Sequence, residues 1–123
     1  MDFPDDFESF GLYRDDIQRD VELKLRLAGI TIDEKEEKYL LYVNVGGLCV
    51  SSGTCGYSVK MYFTELVFVP RGDEYIEVVD AATWMPRGYT GIVGSNKLPS
   101  VRDDVKDMVD KFINAFLTAN PKQ

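Results

Sequence analysis

The chain has 123 residues, 45% of them apolar and 12% aromatic, enough to bury one core and too few for two independent domains. Its 21 acidic against 14 basic residues leave a formal charge of −7, which argues against nucleic acid as a partner, because phosphate binding draws its affinity from clustered Lys and Arg. No apolar run reaches the ~18 residues that cross a bilayer and no basic-then-apolar export signal is present, so a soluble protein is expected: periplasmic or secreted if a signal has been removed, otherwise cytoplasmic.

Residues 1–22 hold eight Asp or Glu against only Arg14 and Arg19, the composition of a solvated segment, and residues 1–11 are expected to be frayed or to form a partial edge strand. Residues 14–28 then read as a helix. Ile17, Val21, Leu25 and Ala28 recur at three-or-four spacing, and Asp15 and Asp16 suit its positive amino end. Leu23 and Leu27 lie off that stripe, so a broad buried face is expected. Gly29 should close the last turn in the left-handed conformation, with Ile30 packing back on it. The segment 31–38 reads as a solvated connection.

Three strand-like runs follow, at about 38–49, 55–69 and 74–84, rich in Val, Tyr, Phe and Ile. If Cys49 faces Cys55 across a turn at Ser51, Ser52 and Gly53, one register follows for the first hairpin. It sets Gly47, Val45, Val43 and Leu41 opposite Tyr57, Val59, Met61 and Phe63 on an apolar face. Gly46, Asn44, Tyr42 and Leu40 then oppose Ser58, Lys60, Tyr62 and Thr64 on a mixed polar face. In this register Tyr57 is expected to cover Gly47. Pro70, Arg71, Gly72 and Asp73 signal a second turn. Leu66 and Phe68 are out of parity with Met61 and Phe63, which predicts a bulge near Thr64 or Glu65, or a strand end buried on both faces.

Residues 85–98, with Pro86, Gly88, Gly91 and Gly94, read as a loop in which Ile92 and Val93 form a short extra strand. Ser100 and Asp103 resemble a capping box opening the last helix, whose stripe is Val101, Val105, Met108, Val109, Phe112 and Phe116. Asn120 and Pro121 should stop it near Thr118. The fold class is therefore α+β: two helices on one face of an antiparallel three- to four-stranded meander, in the order α-β-β-β-α, with a possible extra amino-terminal strand.

The chain contains no histidine, which removes the commonest general base and metal ligand, and no catalytic residue, metal site or cofactor is assigned. Asp103, Asp107 and Asp110 share a helix face with Lys106 and Lys111 between them, the pattern of a solvated surface. Gly88, Gly91 and Gly94 do not match a phosphate-cradling loop, for want of a Gly-Lys-Ser/Thr and of an adjoining helix. Cys49 and Cys55 are placed for a disulfide in an oxidising compartment, with two free buried thiols as the alternative. Trp84, Met85, Arg87 and Tyr89 form a candidate interaction surface, although a tryptophan at a strand end more often closes a core. Tyr42 and Tyr62 are a second candidate patch, or a stabilising cross-strand pair.

The segments at 20–30 (DVELKLRLAGI), 39–45 (YLLYVNV), 82–84 (ATW) and 109–121 (VDKFINAFLTANP) together resemble a family of small, often exported bacterial proteins without an assigned activity. The resemblance covers most of the chain after residue 11 and implies an envelope or secreted location and a helix, three-strand meander, helix order. In architecture alone the chain is also similar to amino-terminal domains of TolB and related envelope lipoproteins, which act as protein-interaction modules. These readings lead to an expected function as a non-enzymatic interaction module that binds a protein partner through an exposed sheet face or edge strand, in an oligomeric state left open. A small-molecule binder with a pocket between the sheet and the 85–98 loop is the second expectation, and a carboxylate-dependent enzyme the third.

Overall fold

The computed structural model describes residues 1–30 and 39–120, and at positions 39, 40, 79 and 80 the main chain only. The connection expected at 31–38, and Pro121, lie outside the described residues. A 3-10 helix, Asp5–Phe10, leads into helix α1 (Arg14–Leu27). Strands β1 (Tyr39–Cys49), β2 (Thr54–Arg71), β3 (Glu74–Trp84) and β4 (Tyr89–Gly94) follow, then a second 3-10 helix, Ser95–Ser100, that runs straight into α2 (Val101–Ala119). The protein is an α+β fold with an antiparallel sheet, as its hydrophobic periods require.

Helix α1 closes as Gly29 and Ile30 predict. Gly29 sits at φ +75, its N–H donates to the Arg26 carbonyl at 3.0 Å, and the Ile30 N–H donates to the Leu25 carbonyl at 2.9 Å. Leu25 and Ile30 are both buried, completing the apolar contact of this stop. The broad buried face is not found. Only Ile17 and Leu25 are buried within α1, while Leu23 and Leu27 are 52% and 78% exposed. At ~100° per residue, positions 23 and 27 point away from Val21 and Leu25, while α2 meets α1 at Asp16, Asp20 and Lys24.

The β1–β2 register is the one the cysteines set, from Cys49 opposite Cys55 through Leu40 opposite Thr64, and it extends to Tyr39 opposite Glu65. Val43, Val45, Val59 and Met61 are buried in one cluster with Val101, Val105, Met108, Val109 and Phe112 of α2. On the far edge of β2, two strands lie end to end. The first half of β2 pairs with β4, Thr54 to Gly94 through Val59 to Tyr89, and the second half with β3, Phe63 to Trp84 through Arg71 to Glu74. Between them Met85–Gly88 faces the shorter run 60–62, an extra residue that interrupts what is otherwise one long strand. The irregularity expected near Thr64 occurs between Phe63 and Thr64 and again between Glu65 and Val67. The additional residues sit on β3, where Thr83 and the pair 79–80 have no single opposite number.

Three local expectations are corrected. Residues 1–11 are neither frayed nor a strand: Phe7 is fully buried, and the one strand-like contact is the Val45 N–H donating to the Asp2 carbonyl at 2.9 Å. Pro70 and Arg71 belong to β2, so the second turn is Gly72–Asp73 alone, with Gly72 at φ +61 as a two-residue hairpin turn needs. Ser100 makes no capping box. Its own backbone is already helical, at φ −65 and ψ −14, so its hydroxyl donates backwards to the Lys97 carbonyl at 2.6 Å.

Among the described residues three ion pairs tie α1 to α2. Arg102 holds Asp20 through two nitrogens at 2.8 and 3.0 Å and lies 3.7 Å from Asp16, and Lys24 meets Asp110 at 2.8 Å. The hydrogen bonds from Arg102 keep the Asp20 carboxyl below the ordinary carboxylate range, against the opposing effect of burial. A depressed acid contributes stability that is whole above its unfolded pKa, about 3.9, and disappears as pH falls through the lower folded value. Asp20→Asn should cost about 1 kcal/mol at neutral pH, limited by solvent around the half-exposed Arg102, and should flatten the loss of stability below about pH 4. Urea unfolding across pH 2–7 checks this; parallel curves for variant and parent would remove Asp20 from the acid response.

Candidate interaction surface

The sheet separates the residues that the sequence groups as an interaction surface. Trp84, opposite Phe63, turns to the helices, its ring 5.4 Å from Phe112, which itself stacks on Phe63 and Phe116. It is a core-closing tryptophan. Tyr89 points to the same side, where the Lys111 ammonium lies 3.2 Å from its hydroxyl and 5.1 Å from its ring centre. Met85, 64% exposed, and Arg87 project at the interruption between β3 and β4. Tyr42 and Tyr62 occupy the opposite face, half-buried and stacked at 5.4 Å, with the Asn44 amide donating to the Tyr62 hydroxyl at 2.9 Å. That arrangement is a fixed cross-strand pair.

Segment 85–98 is more regular than the loop with a short Ile92–Val93 strand read from the sequence. Residues 89–94 pair with β2 and 95–100 coil, leaving only Met85–Gly88 irregular. Two of its glycines make room for neighbours. A Cβ on Gly91 would lie 2.8 Å from the Tyr57 ring, and one on Gly88 3.0 Å from the Val59 carbonyl oxygen. Tyr57 therefore covers Gly91, not the Gly47 that it faces in the register with β1. Its hydroxyl donates to the Asp104 carboxylate at 2.7 Å, tying β2 to the first turn of α2. The hydrogen bond to Asp104, with burial and the carboxylate charge behind it, pushes the Tyr57 phenol up to about 12. Cys49 and Cys55 are joined, S–S 2.02 Å, beside the first hairpin turn. Among the described residues no group of three or more Cys, Asp or Glu converges as metal ligands would, and no helix is long and apolar enough to cross a membrane.

The largest apolar exposure lies elsewhere. Among the described residues β1 pairs with β2 no further than Glu65, and β2 and β3 continue beyond it as a hairpin arm, Val67 opposite Val78 through Arg71 opposite Glu74. On one side of the arm stand Phe68 and Tyr75, 62% and 73% exposed; on the other, Val69, Ile76 and Val78, 43%, 41% and 36% exposed. The sequence shows the signal, apolar residues at both parities in Leu66–Val69 and again in Tyr75–Val78, but parity alone reads it as burial on two faces. The structure corrects that reading to exposure on two faces. Comparison with known proteins finds no matching family profile, curated protein or solved structure.

Proposed function

We propose that the protein is a non-enzymatic interaction module of the bacterial envelope that contacts a protein partner through the faces of the β2–β3 arm. The observation that carries this reading is the exposure of Phe68, Val69, Tyr75, Ile76 and Val78 on one projecting element. Phe68 and Tyr75 form an aromatic patch on one face of the arm, and Val69, Ile76 and Val78 an aliphatic one on the other. Aromatic anchors with Glu77 beside them on one face, and aliphatic residues with Arg71 and Glu74 beside them on the other, have the composition of interface centres and rims. The resemblance to exported bacterial proteins supports the envelope location, and so does a disulfide closing the first hairpin.

Purification of the protein with its attached partners from the native cell tests both parts. A partner retained by the parent and lost by Phe68→Ser/Tyr75→Ser, with the circular dichroism of the variant unchanged, is the expected result. The same preparation should show no titratable thiol before reduction and two after. Partners that bind the double variant equally well would remove the arm, and free thiols in the native protein would remove the envelope location.

A further inference from the structure

Among the described residues the sheet has several open edges, and proline, glycine or a crossing segment interrupts all but one. The outer edge of β1 is occupied at Val45 by Asp2. The edge of β2 beyond Glu65 contains Pro70, which lacks an N–H. Strand β4 is short and carries Gly91 and Gly94. On β3, the regular stretch Glu74–Val78 contains no proline, lysine or glycine, and among the described residues nothing pairs with its outer side. Its irregularities begin only after Val78. This is the kind of edge that recruits another strand.

The geometry points to a second copy of this chain as the occupant, with the two Glu74–Val78 strands antiparallel about a two-fold axis through Ile76. A two-residue turn at Gly72–Asp73 makes Arg71 and Glu74 a hydrogen-bonded pair, so alternation aims the N–H and C=O groups of Tyr75 and Glu77 outward. A two-fold axis normal to the sheet keeps each strand's faces in common, so only residues of equal parity can be opposed. Centring on Tyr75 opposes Glu77 to Asp73 of the second copy, and centring on Glu77 or Glu74 opposes that carboxylate to itself. Centring on Ile76 opposes Tyr75 to Glu77, Glu74 to Val78 and Ile76 to Ile76. Centring on Val78 carries the pairing into the irregular stretch beyond it, so the Ile76 register is the one within Glu74–Val78 that brings no like charges face to face, and it uses all four outward main-chain groups of each strand.

The product is a sheet running through both arms, with the faces bearing Phe68 and Tyr75 still free. Dimer formation and partner binding are therefore separable, and failure of one does not imply failure of the other. The contact is at the lower end of interface sizes, and each copy carries −7, so the dimer is weak and is strengthened by salt.

Sedimentation equilibrium of the purified chain, followed by Ile76→Lys and Ile76→Glu separately and mixed, tests this. Ile76 is 41% exposed in one copy, so both variants should fold. The expected results are a monomer–dimer equilibrium whose association constant rises several-fold with salt, monomers for each variant alone because like charges meet at the axis, and dimers again in the equimolar mixture. A parent chain that stays monomeric up to about 1 mM overturns the proposal. Single variants that dimerise as the parent does, or a mixture that stays monomeric, overturn the register.

Discussion

Phe7→Ala should lower the free energy of unfolding by about 3–5 kcal/mol, the cost of emptying a large aromatic site in a core that cannot fully close around it. Phe7 has no exposed surface, and its ring meets Phe3 edge-on at 6.0 Å and reaches across to β1 at Gly47. The short 3-10 helix holds it there: its N–H donates to the Pro4 carbonyl and its carbonyl accepts from Leu12, each at 3.2 Å, while Gly11 turns the chain at φ +89. Phe10→Ala, three residues on and 38% exposed, is the matched control and should cost under about 1 kcal/mol. Urea unfolding followed through Trp84 fluorescence measures both. Equal, small losses would show that the acidic first eleven residues are dispensable to the core.

Phe7 also shows why this part of the fold was not legible. Four carboxylates in the first eight residues and the lack of any helical or strand period leave a sequence reading with composition alone, and composition predicts solvation. One buried aromatic in a 3-10 turn has no repeat to reveal it. Where a period exists the chain speaks clearly. The Val101–Phe112 stripe falls on one helical face, and the β1–β2 alternation fixes every partner once Cys49 faces Cys55, because a shift of one residue would turn Val43, Val45 and Val59 outward.

The arm was harder to read for a different reason. Periodicity reports which side of an element is apolar and says nothing about how far its neighbours extend. Leu66–Val69 and Tyr75–Val78 look like central strands, yet Phe68, Val69, Tyr75, Ile76 and Val78 are exposed. Trp84 fails as a surface residue in the reverse sense. An aromatic next to Met85 and Arg87 has interface composition, but its place opposite Phe63 puts it against Phe112. Such assignments depend on the lengths of strands and helices, which local sequence leaves loose by several residues.

Gly47→Ala should be nearly as damaging as loss of Phe7, at about 3–4 kcal/mol, although it adds a single methyl group. Gly47 lies inside β1 at φ +139, a conformation L side chains rarely adopt. Its missing Cβ is where the Gly56 carbonyl oxygen of β2 passes, with Phe7 Cζ and Tyr57 Cα each 2.9 Å away. Main chain makes two of those three contacts, and only the Phe7 ring tip can swing aside. Combining Gly47→Ala with Phe7→Ala should consequently cost less than the separate losses added together, by about 1 kcal/mol, since the truncated ring no longer meets the new methyl. The remainder stays, because the strand must still move off the Gly56 carbonyl. Denaturant unfolding of the four proteins in the cycle measures this. Strict additivity would mean that Phe7 does not touch β1 at Gly47, and a mild single Gly47→Ala would mean that β1 and β2 lie further apart there than the packing of this hairpin requires.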